Sequence, residues 1–131
     1  MKELNKLTFE ESVRYSREHT WAKRDGNMFW VGISDYAQDQ LGEIIFVELP
    51  QPGDSFHADE TFGVVESAKS VSELYMPVSG EVVKVNLKLE QMPEIINRDP
   101  FQEGWMVKIK PSDVSESEHL LSARAYKEFL G

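Results

Sequence analysis

Short stretches of alternating apolar and polar residues recur along the chain, and most are closed by glycine, proline, asparagine or aspartate. A period of two, carried by β-branched and aromatic side chains, predicts strands. Thr20 to Arg24 and Met28 to Ile33 are joined by Asp25-Gly26-Asn27. They predict a hairpin, because Asp-Gly readily adopts the positive φ of a tight turn. Glu43 to Leu49 predicts a strand ended by Pro50 and Pro52-Gly53, and Asp54 to Phe56 a short one before the polar turn His57 to Glu60. Phe62 to Val65 climbs to a small polar tip, Glu66 to Ser70, and Val71 to Val78 descends from it as an antiparallel partner. Glu81 to Val85 extends the sheet beyond a turn at Gly80, and Gly104 to Lys110 forms a final strand stopped by Pro111.

Helical signals are few. Ser34-Asp35 caps a short helix, Tyr36 to Leu41, that Gly42 terminates. Asn86 to Gln91 reads as loop, Pro93 to Ile96 as one helical turn, and Asn97 to Pro100 as turn. Ser115 to Glu118 fits a capping box, and Ser122 caps a helix from Ala123 to Leu130. Ala123, Tyr126 and Leu130 share one face of that helix, with Lys127 and Glu128 on the other, so it is expected to cover the sheet. Residues 1–13 are expected to form a flexible leader, and 14–131 a single domain with a C-terminal helical segment, 115–130. Many short strands separated by glycine and proline turns predict a mainly β fold, a sandwich or flattened barrel.

Composition narrows the function classes. A chain of 131 residues with a formal net charge of −9 suits one acidic globular domain. That charge disfavours binding to nucleic-acid phosphates and to anionic membranes. The chain has no cysteine, which excludes a disulfide framework, a thiolate nucleophile and a cysteine metal site. His19, His57 and His119 lack ligand spacing, so no metal site is expected. There is no glycine-rich phosphate loop and no serine nucleophile elbow. Glu66 and Glu73 read as solvated strand carboxylates rather than an acid–base pair, and Trp21, Trp30 and Trp105 as core or cleft wall. No apolar segment suits a signal peptide or a membrane span. A cytoplasmic bacterial protein is expected, and a processed mitochondrial form stays open.

Lys69 stands apart. It sits at the hairpin tip between Ala68 and Ser70, with Pro52-Gly53-Asp54 upstream and Pro77-Val78-Ser79-Gly80 downstream. A hairpin lysine is ordinarily a solvated surface residue. In this setting Glu66-Ser67-Ala68-Lys69-Ser70 resembles the attachment hairpin of biotinyl and lipoyl domains. Biotin carriers usually place methionine on both sides of the lysine; Ala68 and Ser70 stand there instead, as in glycine cleavage system H proteins. The likeness extends through Val31 to Gln38, Leu41 to Pro50, Pro77 to Val82, Asn97 to Pro100 and Glu103-Gly104-Trp105.

The resemblance implies a barrel-sandwich hybrid of two antiparallel sheets with short helices, and a carrier rather than an enzyme. It implies (R)-lipoate bound covalently to Lys69 as N6-lipoyllysine, with Glu66, Ser67, Ala68 and Ser70 as tip neighbours. It implies glycine decarboxylase (a pyridoxal-phosphate enzyme), aminomethyltransferase and dihydrolipoyl dehydrogenase as partners, and a lipoate ligase or a lipoyl or octanoyl transferase to attach the cofactor. A cleft for the loaded arm is expected near Thr20, Tyr36 and Glu73. At each of these the chain departs from common family usage, which has glutamate at the first, histidine in some relatives at the second and aspartate at the third. Three alternatives remain: a lipoyl reservoir that donates its cofactor to other acyltransferase subunits, an unmodified β-sandwich interaction protein with Lys69 as plain surface, and a biotin carrier.

Overall fold

In the computed structural model, which describes residues 2–131, the alternation resolves into β1 (Arg14–Tyr15), β2 (Thr20–Asp25), β3 (Met28–Ile33), β4 (Ile44–Glu48), β5 (Ser55–Phe56), β6 (Thr61–Ser67), β7 (Val71–Tyr75), β8 (Gly80–Val85) and β9 (Val107–Pro111). Four short helices accompany them: α1 (Asp35–Leu41), α2 (Lys88–Gln91), α3 (Ile95–Arg98) and α4 (Ala123–Leu130). The strands form a six-stranded antiparallel sheet, β1-β2-β3-β9-β8-β5, and a three-stranded one, β4-β6-β7. The two share no strand, so the fold is a sandwich and not a closed barrel. Inward residues of both sheets, among them Val31, Ile33, Val65, Leu74, Val82 and Ile109, make one core. Burial of these apolar side chains is the main force holding the two sheets together.

The predicted β2–β3 hairpin is present, with Asp25 paired to Met28 and Gly26 at φ 64°. Ser34 caps α1 as its side chain accepts from Ala37 N–H, and Gly42 ends the helix at φ 81°. Ser122 caps α4 in the same way, through Ala125 N–H. Tyr126 of α4 stacks on Tyr15 of β1 at 4.3 Å between ring centroids, so this helix does lie on the sheet. Together with Val13, Trp21 and Phe101 they form a second apolar cluster. Leu7 is also buried, and Thr8 N–H donates to Asp35, so the segment before residue 14 meets the domain at these points.

Several boundaries differ from the sequence expectation. The stretch read as loop, Asn86 to Gln91, contains α2, because tertiary packing of fully buried Leu89 overrides weak local signals. The helical turn expected at Pro93 to Ile96 falls at α3. The descending strand ends at Tyr75 rather than Val78, since Pro77 has no N–H for a ladder. The final strand begins at Val107 rather than Gly104. Asn86 Nδ2 donates to the carbonyls of Glu103 and Trp105, and Gly104 N–H to Asp99, which holds that segment as a turn. The capping box at Ser115 to Glu118 does not form. Asp113 accepts from Ser115 N–H and opens a 3₁₀ helix, Val114–His119, while Glu116 accepts from both the N–H and hydroxyl of Ser79.

Candidate functional site

β6 and β7 pair from Thr61 opposite Tyr75 to Glu66 opposite Val71, and the chain reverses over Ser67 to Ser70. Ser67 pins the reversal. Its hydroxyl accepts from Ser70 N–H at 3.1 Å and from Lys69 N–H at 3.3 Å, and its own N–H donates to Ser70 C=O at 2.8 Å. A serine that bonds the backbone two and three residues on favours a tight turn over a longer strand. Ser67 is buried and Glu66 half-buried, whereas Ala68, Lys69 and Ser70 are exposed. Among the described residues no carboxylate pairs with Lys69, and no group accepts a hydrogen bond from its amine.

The lysine side chain lies over the end of α1. A Cβ placed on Gly42 would come within 3.4 Å of Lys69 Cε and 3.9 Å of Nζ. The C-terminal end of a helix carries partial negative charge, so an ammonium group rests favourably there. Asn97 holds this end in place. Its Oδ1 accepts from Ile44 N–H, and its Nδ2 donates to Gln38 Oε1 and to Gly42 C=O, all within 2.9 Å. One amide thus ties α1, α3 and the start of β4 together beside the lysine. Asn97→Asp keeps the acceptor for Ile44 but loses both donations. Gln38 cannot turn its amide to compensate, because its Nε2 is bonded to Asp35 at 2.8 Å. The expected cost is about 2 kcal/mol, read as a lower urea midpoint with an unchanged m-value.

Next to this helix end lies a cavity of about 230 Å³, below the roughly 300–1,000 Å³ of pockets for drug-sized ligands. Thr20, Tyr36 and Glu73 all line it, together with Glu18, His19 and Leu41, the last one residue from Gly42. The three contribute unequally. Thr20 is buried and its hydroxyl is committed, donating to Tyr75 C=O at 2.9 Å and lying 2.8 Å from Ser16 Oγ. Glu73 is exposed on edge strand β7 and accepts from Tyr75 O–H at 2.9 Å, which pushes the Tyr75 phenol above its ordinary value. Tyr36 faces His19 at 5.1 Å between ring centroids.

Sequence reasoning missed Glu18, His19 and Asn97. His19 adopts a left-handed backbone, φ 72°, and its Nδ1 lies 2.8 Å from Tyr126 Oη, which in turn lies 2.8 Å from Ser34 Oγ. The C-terminal helix is thereby linked to the cap of α1. Burial lowers the His19 pKa, and nearby Glu18 only partly opposes it. The folded chain therefore favours neutral imidazole. An unfolded histidine takes up its proton as pH falls through about 6.5, and the folded one does so only lower down. The stability from His19 is complete above that range and is lost as pH falls through the folded value. Urea unfolding at pH 7 and pH 5 should show a loss on acidification that is smaller in His19→Asn, since asparagine tolerates the positive φ and does not titrate.

A family model described as Glycine cleavage H-protein matches residues 13–131. The chain belongs to this family. Glycine cleavage system H protein of Anaeromyxobacter sp. strain K is 54% identical over 124 residues, 95% of this chain and 97% of that one. The H protein of Bacillus licheniformis is 50% identical over 124 residues, 95% of this chain and 98% of that one. The crystal structure of a glycine cleavage system H protein from Mycobacterium marinum superposes with a TM-score of 0.86 at 34% identity, covering 93% of this chain and 98% of that one. The likeness seen in the sequence is therefore the family itself, and the sandwich is its fold. As a member, the chain is a carrier subunit of the glycine cleavage system and not an enzyme.

Proposed function

We propose that the chain carries (R)-lipoate as an amide on Lys69 and shuttles the aminomethyl group of glycine from glycine decarboxylase to the tetrahydrofolate-dependent aminomethyltransferase, after which dihydrolipoyl dehydrogenase restores the disulfide. When bound, the cofactor supplies the sulfur chemistry; the protein supplies position and shelter. The observation that carries this reading is an exposed amine, unpaired among the described residues, on a serine-pinned tip, lying against the helix end that borders the cavity.

Attachment asks little of the carrier. The Lys69 amine gives up a proton and attacks the acyl carbon of an acyl-adenylate or a protein-bound acyl group. A C–N bond forms as the bond to the departing phosphate, sulfur or nitrogen breaks. Among the described residues nothing next to Nζ can take the proton, so the attaching enzyme supplies the base. The small neighbours Ala68 and Ser70 let the tip enter that enzyme, and Ser67 keeps it from collapsing.

Once the amine is acylated, the arm begins beside Gly42 and has the cavity within reach. Glu73 and Glu18 place carboxylates at its lining, where a cationic end group would be favoured, while the committed hydroxyl of Thr20 closes the wall. Intact-protein mass after incubation with a lipoate ligase, lipoate and ATP should rise by one lipoyl group, mapped to the Lys69 peptide. The loaded protein should then support glycine–bicarbonate exchange by glycine decarboxylase. No adduct on Lys69 would overturn the carrier reading, and an adduct without exchange would favour the reservoir role.

A further inference from the structure

The outer face of the three-stranded sheet is less polar than an exposed face should be. β4 is irregular between Ile44 and Phe46. Strict alternation would turn one of any two consecutive residues inward. Here Ile44 is buried, and both Ile45 and Phe46 are exposed, at 55% and 47%. The bulge thus turns two neighbouring apolar side chains to solvent. The register extends the patch: Phe46 stands opposite Glu66, and Glu66 opposite Val71, which is 66% exposed. The adjoining row is Glu48, Val64 and Glu73. Single exposed apolar residues need no explanation, but Ile45, Phe46 and Val71, grouped around Glu66 on the face that runs into a reactive side chain, mark an interaction surface. Val71 lies two residues beyond Lys69.

On the reading that Lys69 is acylated, we propose that this face is the docking surface of the enzyme that acylates it, and that this enzyme presents an apolar centre rimmed by lysine or arginine. The location selects the partner. The C–N bond forms at Nζ itself, as the acyl carbon separates from its leaving group, so the enzyme must close around the tip and meet the sheet face that runs into it. Enzymes that act later meet the far end of the arm. Charge selects the rim: the two rows carry Glu48 and Glu66, with Glu73 at the edge shared with the cavity, and no cation, a pattern that basic groups complement and anionic ones are repelled by. Phe46, Ile45 and Val71 then act as anchors, the kind of side chain that dominates an interface when buried at its centre.

The test is the rate of Lys69 lipoylation by a lipoate ligase in the double variant Phe46→Ser/Val71→Ser, with Leu87→Ser, another exposed apolar site, as control. Melting curves establish that all three proteins are folded. The double variant should lose about tenfold or more in kcat/KM, mainly through KM, while the control stays within about twofold. Added salt should slow lipoylation of the parent. Once fully lipoylated by prolonged incubation, the double variant should support exchange by glycine decarboxylase at the parental rate. Unchanged ligation kinetics in a folded double variant overturn the proposal. So does unchanged ligation with lost exchange, which would make the face the decarboxylase's, or with loss of a parental dimer in sedimentation, which would make it a self-contact. A parent that is never acylated overturns the carrier reading as well, and is told apart because the parent itself fails.

Discussion

Lys69→Arg is expected to leave the fold and melting temperature unchanged and to abolish lipoylation: no adduct mass after incubation with ligase, and glycine–bicarbonate exchange at background. The site itself gives the reason. Lys69 is exposed and, among the described residues, makes no ion pair, so the fold gains little from its amine. The turn that presents it is held by Ser67, through the N–H groups of residues 69 and 70, and arginine has the same backbone. Charge is also conserved. What changes is chemistry: a guanidinium does not lose its proton in proteins, so it has no lone pair to offer an acyl carbon. The variant therefore separates charge from nucleophilicity. An adduct that persisted in it would mean that another side chain takes the acyl group, and the tip would lose its meaning.

The hairpin was legible because its signals are local. Asp-Gly marks one turn, and alternation on both sides of a short polar tip marks another. The sandwich followed from the number of such pieces and the turns between them. What stayed hidden depends on residues far apart in the chain. α2 exists because Leu89 finds the core, and nothing in Asn86 to Gln91 announces that. Asn97 reads as one more turn residue, yet its partners, Gln38, Gly42 and Ile44, lie more than fifty positions away.

The cleft shows the same division. Family likeness points to an arm cleft near Thr20, Tyr36 and Glu73, and these three residues line a single cavity. That the Thr20 hydroxyl is already spoken for comes from Tyr75, on a strand of the other sheet. Nor does a run such as Glu43 to Leu49 reveal a bulge. The two consecutive exposed apolar residues on β4 appear only when its register against β6 is known.

Gly63→Ala should be the most damaging single-methyl change in the hairpin, costing about 3 kcal/mol, the upper end of overpacking effects. Gly63 follows the irregularity in the β6–β7 pairing and passes directly against β4. A Cβ there would overlap the Glu48 carbonyl oxygen and press on Leu74 Cδ1 at 3.3 Å. Neither neighbour can yield cheaply. The carbonyl belongs to a strand whose next pairs, Glu48 with Val64 and Val47 with Val65, fix its distance, and Leu74 is buried in the core. For a domain of this size such a loss lowers the melting temperature by about 10 °C.

Gly26→Ala is the matched comparison. That glycine sits at φ 64° with nothing within 4 Å of the added carbon, so alanine meets only the backbone penalty of a left-handed residue, about 1 kcal/mol. The gap between the two variants isolates the steric term. Ser67 and the tip lie beyond the clash, so Gly63→Ala well below its melting temperature should still take one lipoyl group on Lys69 by intact mass. Equal melting temperatures for the two variants would show that β4 slides away from β6 without resistance, and the sheet that supports the lysine would then be far softer than its register implies.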